Sequence, residues 1–461
     1  MIKNTNYEIM KLLNKIIILI ISIFPMGQFE NTFSKATLDT QMNSEQQSSF
    51  YNALISSVKE HPIYLEAQTS LEQTKASLDI TKSNNKPHIF FQSNIRNSLM
   101  QKFENPLSSF SESTRDQHRT DGSIIMQQAL FDRTIMEEIE KQEYIFKGDF
   151  YEKQQKVSAL TKEMALICID TAAYKIISDL IEISVQSHSQ ILNRIEMRVD
   201  SGRAAQAEMT RAKARFAEAQ AKKIAMDLKL KSSRAKFIQL MPNSEPCMKF
   251  ININQKDLLI TKNLLNSELE NNFILLQALE VIKASETNLE LARSSYKPRI
   301  NFELRGDRYD FTGAKNYDLY AGINVNVDIY SGGKKSAMVR LAKEQLKSSK
   351  FKKDILIKNL TASSESNFVE IINSRNRLDV FGNAYTAYED SREMLRLQFE
   401  SSNVSLLELL QAERDYIESA ELFILNKKEV ISSQINQLFL TSRINKYFEE
   451  NIQIDNGVKI E

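Results

Sequence analysis

The chain reads as long helical stretches interrupted twice by short runs of strict alternation. In the first stretch, Pro62 to Lys86, the pattern is helical and stops at Lys86-Pro87. Proline disfavours helix at the residue before it, so the chain leaves the helix there. Ile89, Phe91 and Ile95 then alternate with other residues, and Ile124, Met126, Gln128 and Leu130 form a second, weaker alternation after a long polar loop near residues 101–119. The clearer version lies downstream. Ile300, Phe302 and Leu304 alternate with Asn301, Glu303 and Arg305. Leu319, Ala321, Ile323, Val325, Val327 and Ile329 then share one face, against Asp318, Tyr320, Gly322, Asn324, Asn326 and Asp328 on the other. A strict period of two predicts strands with one apolar and one polar side.

The helical stretches set a dimension. Arg133 to Asp200 and Lys335 to Ser401 contain no proline, and at 1.5 Å per residue each makes a rod of about 100 Å. Each rod meets a short turn and a returning helix. Ala207, Ala214, Ala221, Leu228 and Ala235 recur at intervals of seven in the first return, and Leu410, Ile417, Ile424, Ile431 and Leu438 in the second. Such stripes predict coiled-coil seams against the rods. The returns are shorter than the rods. With the upstream helices, Pro62 to Lys86 and Phe273 to Lys297, two stacked short helices flank each long one.

The chain is written twice. Glu60 to Phe91 aligns without a gap on Asn271 to Phe302, so that Ile63, Leu65, Ala67, Leu78, Ser83, Lys86, Pro87 and Phe91 return as Ile274, Leu276, Ala278, Leu289, Ser294, Lys297, Pro298 and Phe302. Glu208, Ala212 and Phe216 return as Glu408, Ala412 and Tyr416. A period of about 200 residues is a duplicated domain rather than a solenoid, whose units run to about 20–50 residues.

Composition narrows the class. Among 461 residues only 11 are glycine and 7 proline, too few for propellers, sandwiches or doubly wound sheets. Sixty basic against 59 acidic residues leave no global charge to draw the chain to nucleic acid. Cys168 and Cys247 make no disulfide framework, and His61, His88, His118 and His188 have no metal-ligand spacing. Gly332-Gly333-Lys334 lacks the spacing of a phosphate loop and reads as a strand-to-helix turn. The sequence therefore predicts no enzyme, cofactor or metal site.

Lys3, Lys11 and Lys15 precede an apolar run, Ile16 to Phe24, and Ser34-Lys35-Ala36 offers a small-x-small cleavage site, so residues 1–36 read as a signal peptide. No later stretch reaches the length of a spanning helix, and an exported chain without one can enter a membrane only as strands. Four strands cannot close a barrel; three copies supply twelve.

At this point the sequence resembles the TolC family of outer-membrane channel-tunnel proteins, across nearly all of Phe50 to Lys446. The resemblance is carried by Ala67 to Ile89 with its Lys-Pro, by the second copy Ala278 to Ile300 with Leu291-Ala292-Arg293-Ser294-Ser295-Tyr296-Lys297-Pro298, and by the junction Val327-Asp328-Ile329-Tyr330-Ser331-Gly332-Gly333-Lys334. Val199-Asp200-Ser201-Gly202 and Phe399-Glu400-Ser401-Ser402, with Leu406 to Ala412 beyond, resemble the family's two periplasmic turns. The resemblance implies a mainly α fold with a transmembrane β component, which as a homotrimer forms a 12-stranded β-barrel continued by a long α-helical barrel. It places the barrel in the outer membrane and the tunnel in the periplasm. The implied function is passive exit of small molecules or of a type I secreted protein, with a periplasmic adaptor and an inner-membrane transporter as partners. A periplasmic coiled-coil adaptor or tether without a pore is the alternative. The expected divisions are a first repeat at 48–240 (strands about 88–100 and 120–131), an equatorial linker at 241–271, a second repeat at 272–446 (strands about 299–311 and 317–330) and a tail at 447–461.

The resemblance also assigns roles at the rod tips. Glu408 matches a position whose acid lines the closed periplasmic entrance, and Glu208 is its first-copy counterpart. The next gate position is Gln411, so a second acidic ring is in doubt. Phe399 stands where some members carry a tyrosine that tethers the closed gate, and it lacks the hydroxyl for that bond. Ser201, Gly202 and Arg203, with Ser402, Asn403 and Val404, are the expected adaptor-docking turns. Phe90, Phe91, Tyr309, Phe311, Tyr317, Tyr320 and Tyr330 lie near strand ends and read as an aromatic girdle.

Overall fold

The computed structural model describes residues 40–97, 118–253, 268–311, 314–401 and 404–453. The signal segment at 1–36, nearly all of the 101–119 loop, part of the 241–271 linker and the end of the tail lie outside these residues. Among the described residues, eight helices and four strands follow in the order α1 (Ser44–Glu60), α2 (Pro62–Ser83), β1 (His88–Asn97), β2 (His118–Phe131), α3 (Arg133–Asp200), α4 (Gln206–Leu240), α5 (Phe273–Ser294), β3 (Arg299–Phe311), β4 (Ala314–Asn326), α6 (Lys334–Glu400), α7 (Leu406–Leu440) and α8 (Ile444–Gln453). The duplication is plain in the lengths. Helices α2 and α5 have 22 residues each, α4 and α7 have 35 each, and the rods α3 and α6 have 68 and 67.

Local chemistry fixes the helix starts. Asn43 and Gln46 form a capping box on α1, and His61 caps α2 ahead of Pro62, which sits in the first turn where its missing N–H is not needed. Asp132 and Asn272 cap α3 and α5 through their side-chain oxygens. Gly333 precedes α6 with φ +83°, a left-handed conformation that suits glycine.

The rods and the helices α2, α4, α5 and α7 form one layer. Rod α3 packs between α2 and α5 along its upper part and between α4 and α7 along its lower part, while α6 packs on α5 above and α7 below. The stacked arrangement expected from the helix lengths is therefore present. Leu410, Ile417, Ile424, Ile431 and Leu438 are all buried, so the second seam stands. The first is corrected: Ala207, Ala214, Ala221, Leu228 and Ala235 are exposed, and α4 buries Ala212, Ala219, Met226, Ser233 and Phe237 instead. Helix α4 carries two stripes at intervals of seven, and α3 takes the other one.

All four strands form one antiparallel sheet in the order β1-β2-β3-β4, so β1 and β4 are unpaired edges. Ile89 pairs with Met126 and Phe91 with Ile124, Met126 with Leu304, and Leu304 with Ala321. One face is thus apolar and open: Ile95 is 82% and Ile323 64% exposed. The opposite face carries Ser123, Gln127, Glu303, Arg305, Asp307 and Tyr320, joined by hydrogen bonds. Strand β3 spans Arg299–Phe311, and β4 spans Ala314–Asn326 rather than 317–330. The alternation of Val327 and Ile329 runs past the strand because β3 begins at Arg299, opposite Asn326, and offers no partner beyond. Of the aromatic residues expected to form a girdle, Phe91, Tyr317 and Tyr330 are strongly exposed, and the side chains of Tyr309 and Phe311 lie outside those described. Tyr320 belongs to the polar face, where its hydroxyl donates to Glu303 (3.1 Å).

A second layer wraps the middle of the rods. Gln41 bridges to Phe250, and Tyr51 of α1 meets Phe448 of α8 edge to face at 4.9 Å. Met241, Phe250, Ile251 and Phe448 are fully buried there. Cys168 of α3 and Cys247 form a disulfide. Two cysteines 79 residues apart gave no disulfide framework in the sequence, and only the return of α4 along α3 brings them together.

Candidate functional site: the rod tips

The lower ends of α3, α4, α6 and α7 meet in a core of Ile191, Ile195, Ala212, Phe399, Leu406, Leu409 and Leu410. The first turn ends α3 with Ser201 as the cap and Gly202 at φ +70°. Gly202 N donates to Val199 O (2.9 Å) and Arg203 N to Arg198 O (2.7 Å), the paired bonds by which a left-handed glycine closes a helix. Ser201 Oγ donates to Met197 O (2.9 Å), and Ser201, Gly202 and Arg203 are exposed. In the second turn Val404 is half-buried, while Ser402 and Asn403 lie outside the described residues.

Glu208 and Glu408 occupy equivalent places, the third residue of each returning helix. Glu408 is exposed and closes a capping box: Glu408 N donates to Ser405 Oγ (3.3 Å) and Ser405 N donates to Glu408 Oε2 (3.2 Å). Helix α4 starts at Ala205 without a side-chain cap, and Glu208 is half-buried in its first turn, where the helix dipole favours an acid. Gln411 donates to Asp415 Oδ1 (2.7 Å). Asp415, two turns beyond Glu408, lies past the buried Glu413 and 3.6 Å from Arg414.

Phe399 is 2% exposed and takes no part in a hydroxyl tether. Its position is held from α3 instead. Arg198 Nη2 donates to Phe399 O (3.2 Å) while the guanidinium lies 4.6 Å from the ring centroid, and Arg194 pairs with Glu400 at 2.8 Å. Two arginines one turn apart on α3 thus bind the last turn of α6.

Sequence reasoning passed over a buried polar knot just above this core. Glu413 is fully buried, its Oε1 accepts from Ser187 Oγ (2.9 Å), and its Oε2 has no hydrogen-bond partner. Beside Ser187, His188 is 7% exposed with an unpartnered Nδ1. Burial holds its imidazole below the usual range, with Glu413 pulling upward and Arg215 downward. The Arg392 guanidinium sits 3.8 Å from the Tyr416 ring centroid. The signal was available: Glu413 falls three residues after Leu410, inside the apolar seam of α7.

Residues 264–439 match the family described as outer membrane efflux protein. That match spans most of the second repeat, and the fold is of the TolC type. The TolC-family resemblance read from the sequence therefore holds, and members of the family are transport ducts rather than enzymes. Among solved structures, the CmeC outer membrane channel of Campylobacter jejuni aligns with a TM-score of 0.76 at 14% identity, covering 88% of this chain and 89% of that one. VceC of Vibrio cholerae aligns at 0.74 and 11%, covering 86% and 96%. The Neisseria gonorrhoeae MtrE channel aligns at 0.70 and 12%, covering 85% and 88%. At these identities the likeness is one of fold. No curated protein matches the chain.

Proposed function

We propose that three copies of this chain form an outer-membrane exit duct: a 12-stranded barrel in the membrane, continued by a helical tunnel in the periplasm. One observation carries the reading. The sheet has two unpaired edges and one open apolar face with Ile89, Phe91, Ile95, Ile323 and Val325 all more than 60% exposed. An exposed edge is a template for another chain, and an apolar face of this kind suits lipid. Pairing β4 of one copy with β1 of the next removes the edges in a closed ring. The bare flanks of α6 and α4 support the same closure.

In this reading the cargo is a small molecule or an unfolded polypeptide, and the duct is passive. An inner-membrane transporter and a periplasmic adaptor open it. The exposed turns at Ser201 to Arg203 and 402–404 are the docking surfaces, and Glu408 with Glu208 rings the entrance, where carboxylates attract cations and repel anions. The tie from Arg194 and Arg198 to the end of α6 holds the closed state. The pore-free adaptor or tether is not favoured. Purified, detergent-extracted protein is expected to migrate as a heat-modifiable trimer and to give discrete conductance steps in planar bilayers. A water-soluble monomer without conductance rejects the proposal.

A further inference from the structure

The two rods differ in charge where they leave the sheet. Over Lys334 to Leu360, α6 has nine Lys or Arg against two Asp or Glu, whereas the matching stretch of α3, Arg133 to Ala159, has five against six. Arg340, Lys343, Lys347, Lys350 and Lys358 recur at spacings of three, four and eight, which places them on one face of α6. All five are exposed. Lys347 pairs with Glu344 and Lys350 with Glu286 of α5, while Arg340, Lys343 and Lys358 have no ion pair among the described residues. The side of α6 that packs on α5 is a different one, built from Val339, Ala342 and Leu346 against Leu289 and Ala292.

The stripe lies on the outer side of the wall. Lys343 and Asp379 are about ten helical turns apart at 3.6 residues per turn and so point the same way. Asp379 lines a cleft of about 870 Å³ together with Gln47 and Tyr51 of α1 and Tyr447 of α8. The stripe therefore shares its face with the second layer around the rods. A second helical layer inside a tunnel would fill the bore, so this face is external; that step rests on the duct reading.

Three occupants are anionic enough for an external cationic stripe to be considered, and charge and distance exclude two. A second copy offers α2 at the open edge, whose three acids are nearly offset by Lys75 and Lys82. A bilayer at the level of the sheet reaches only the top of the stripe, because Lys343 to Lys358 run about 14–36 Å down α6 at 1.5 Å per residue. We propose that the stripe binds an extended, carboxylate-bearing polymer lying alongside the rod in the periplasm, that is, the peptide-bearing glycan of the cell wall.

The test uses full-length trimer in detergent, co-sedimented with purified cell-wall sacculi, and in parallel with vesicles containing phosphatidylglycerol. Wild type is expected to pellet with sacculi at low salt and to be released as salt rises, since screening weakens exposed charge contacts. Arg340→Gln, Lys343→Gln, Lys347→Gln and Lys350→Gln combined should weaken that binding about tenfold or more, as each cation near an anionic partner contributes a share. A control with Lys229, Lys231, Lys236 and Lys352 all changed to Gln removes as much charge elsewhere and should bind as wild type. Equal losses in both variants, no pelleting of wild type, or preference for vesicles over sacculi overturns the proposal. Conductance of the same preparations separates the two readings: a conducting trimer that ignores sacculi defeats the stripe and leaves the duct intact.

Discussion

The disulfide between Cys168 and Cys247 gives the most quantitative prediction. The two sulfurs close a loop of 79 residues comprising the lower half of α3, the first turn and all of α4. In the chain-entropy account, removing such a loop's closure from the unfolded ensemble is worth about 4.5 kcal/mol at 25 °C. Both cysteines are nearly inaccessible, Cys168 at 0% and Cys247 at 4%, so reductant alone should leave the folded protein unchanged. The double variant Cys168→Ser with Cys247→Ser avoids a stranded thiol. Its urea midpoint should fall well below that of wild type, and wild type unfolded with reductant should match it. The residues that lose their anchor are those from Met241 to Ile253, so protease cutting should begin there. Two titratable thiols in unreduced, denatured wild type, or coincident midpoints for wild type and variant, would refute the reasoning. Such bonds persist in oxidising compartments, which agrees with the proposed export.

Other outcomes follow from the tips. Glu408→Gln keeps the capping box, which accepts Glu or Gln, but removes the charge; cation selectivity in a salt gradient should drop while thermal stability stays, and an unchanged reversal potential rejects the gate role. Arg194→Ala with Arg198→Ala removes one exposed ion pair, one hydrogen bond and one cation–π contact, together about 1–3 kcal/mol, so the open probability in bilayers should rise about tenfold; identical gating dismisses the tie. His188 has a folded pKa held below its unfolded value, so the unfolded chain takes the proton first as pH falls. The stability it confers is complete above about pH 6.5 and is lost on acidification toward the folded pKa. Wild type should therefore lose more melting temperature than His188→Gln between pH 7.5 and 5.5, and parallel losses refute the assignment.

What the sequence conveyed depended on how local the cause was. The rods and the Lys-Pro exits follow from proline, glycine and periodicity, which act within a few residues, and the structure places them within a residue or so of expectation; the end of β4 does not, because its pairing with β3 stops at Asn326. The Ser405-x-x-Glu408 box was equally local, yet the family resemblance drew attention to the gate role first. By contrast, α4 carries stripes at intervals of seven in two phases, each opening on alanines, and nothing within α4 tells which one meets α3. The cysteine pair has the same origin: its partners are neighbours only after two helices have folded back. Glu413 was hidden because a lone acid in an apolar seam resembles a surface glutamate until its neighbours are known.

The unequal burial of the two rods is the strongest structural reason to think in terms of a ring. The repeats are the same size and shape, yet α3 has twenty-three buried residues and α6 eight. Helix α3 lies between neighbours on both sides, whereas α6 has them on one. Leu341, Phe351, Ile355, Val369, Val380, Met394 and Leu397 are left exposed along α6, and Ile224 and Leu228 along α4 at the opposite edge. If the duplicated units are equivalent, the bare side of α6 wants what the matching side of α3 already has, a pair of stacked short helices. The chain carries such a pair, α2 above and α4 below, at its other edge. Head-to-tail addition of copies satisfies both edges at once, in the helical layer as in the sheet, and only a closed ring leaves none over. Helix packing and strand pairing, two independent interactions, thus call for the same symmetry.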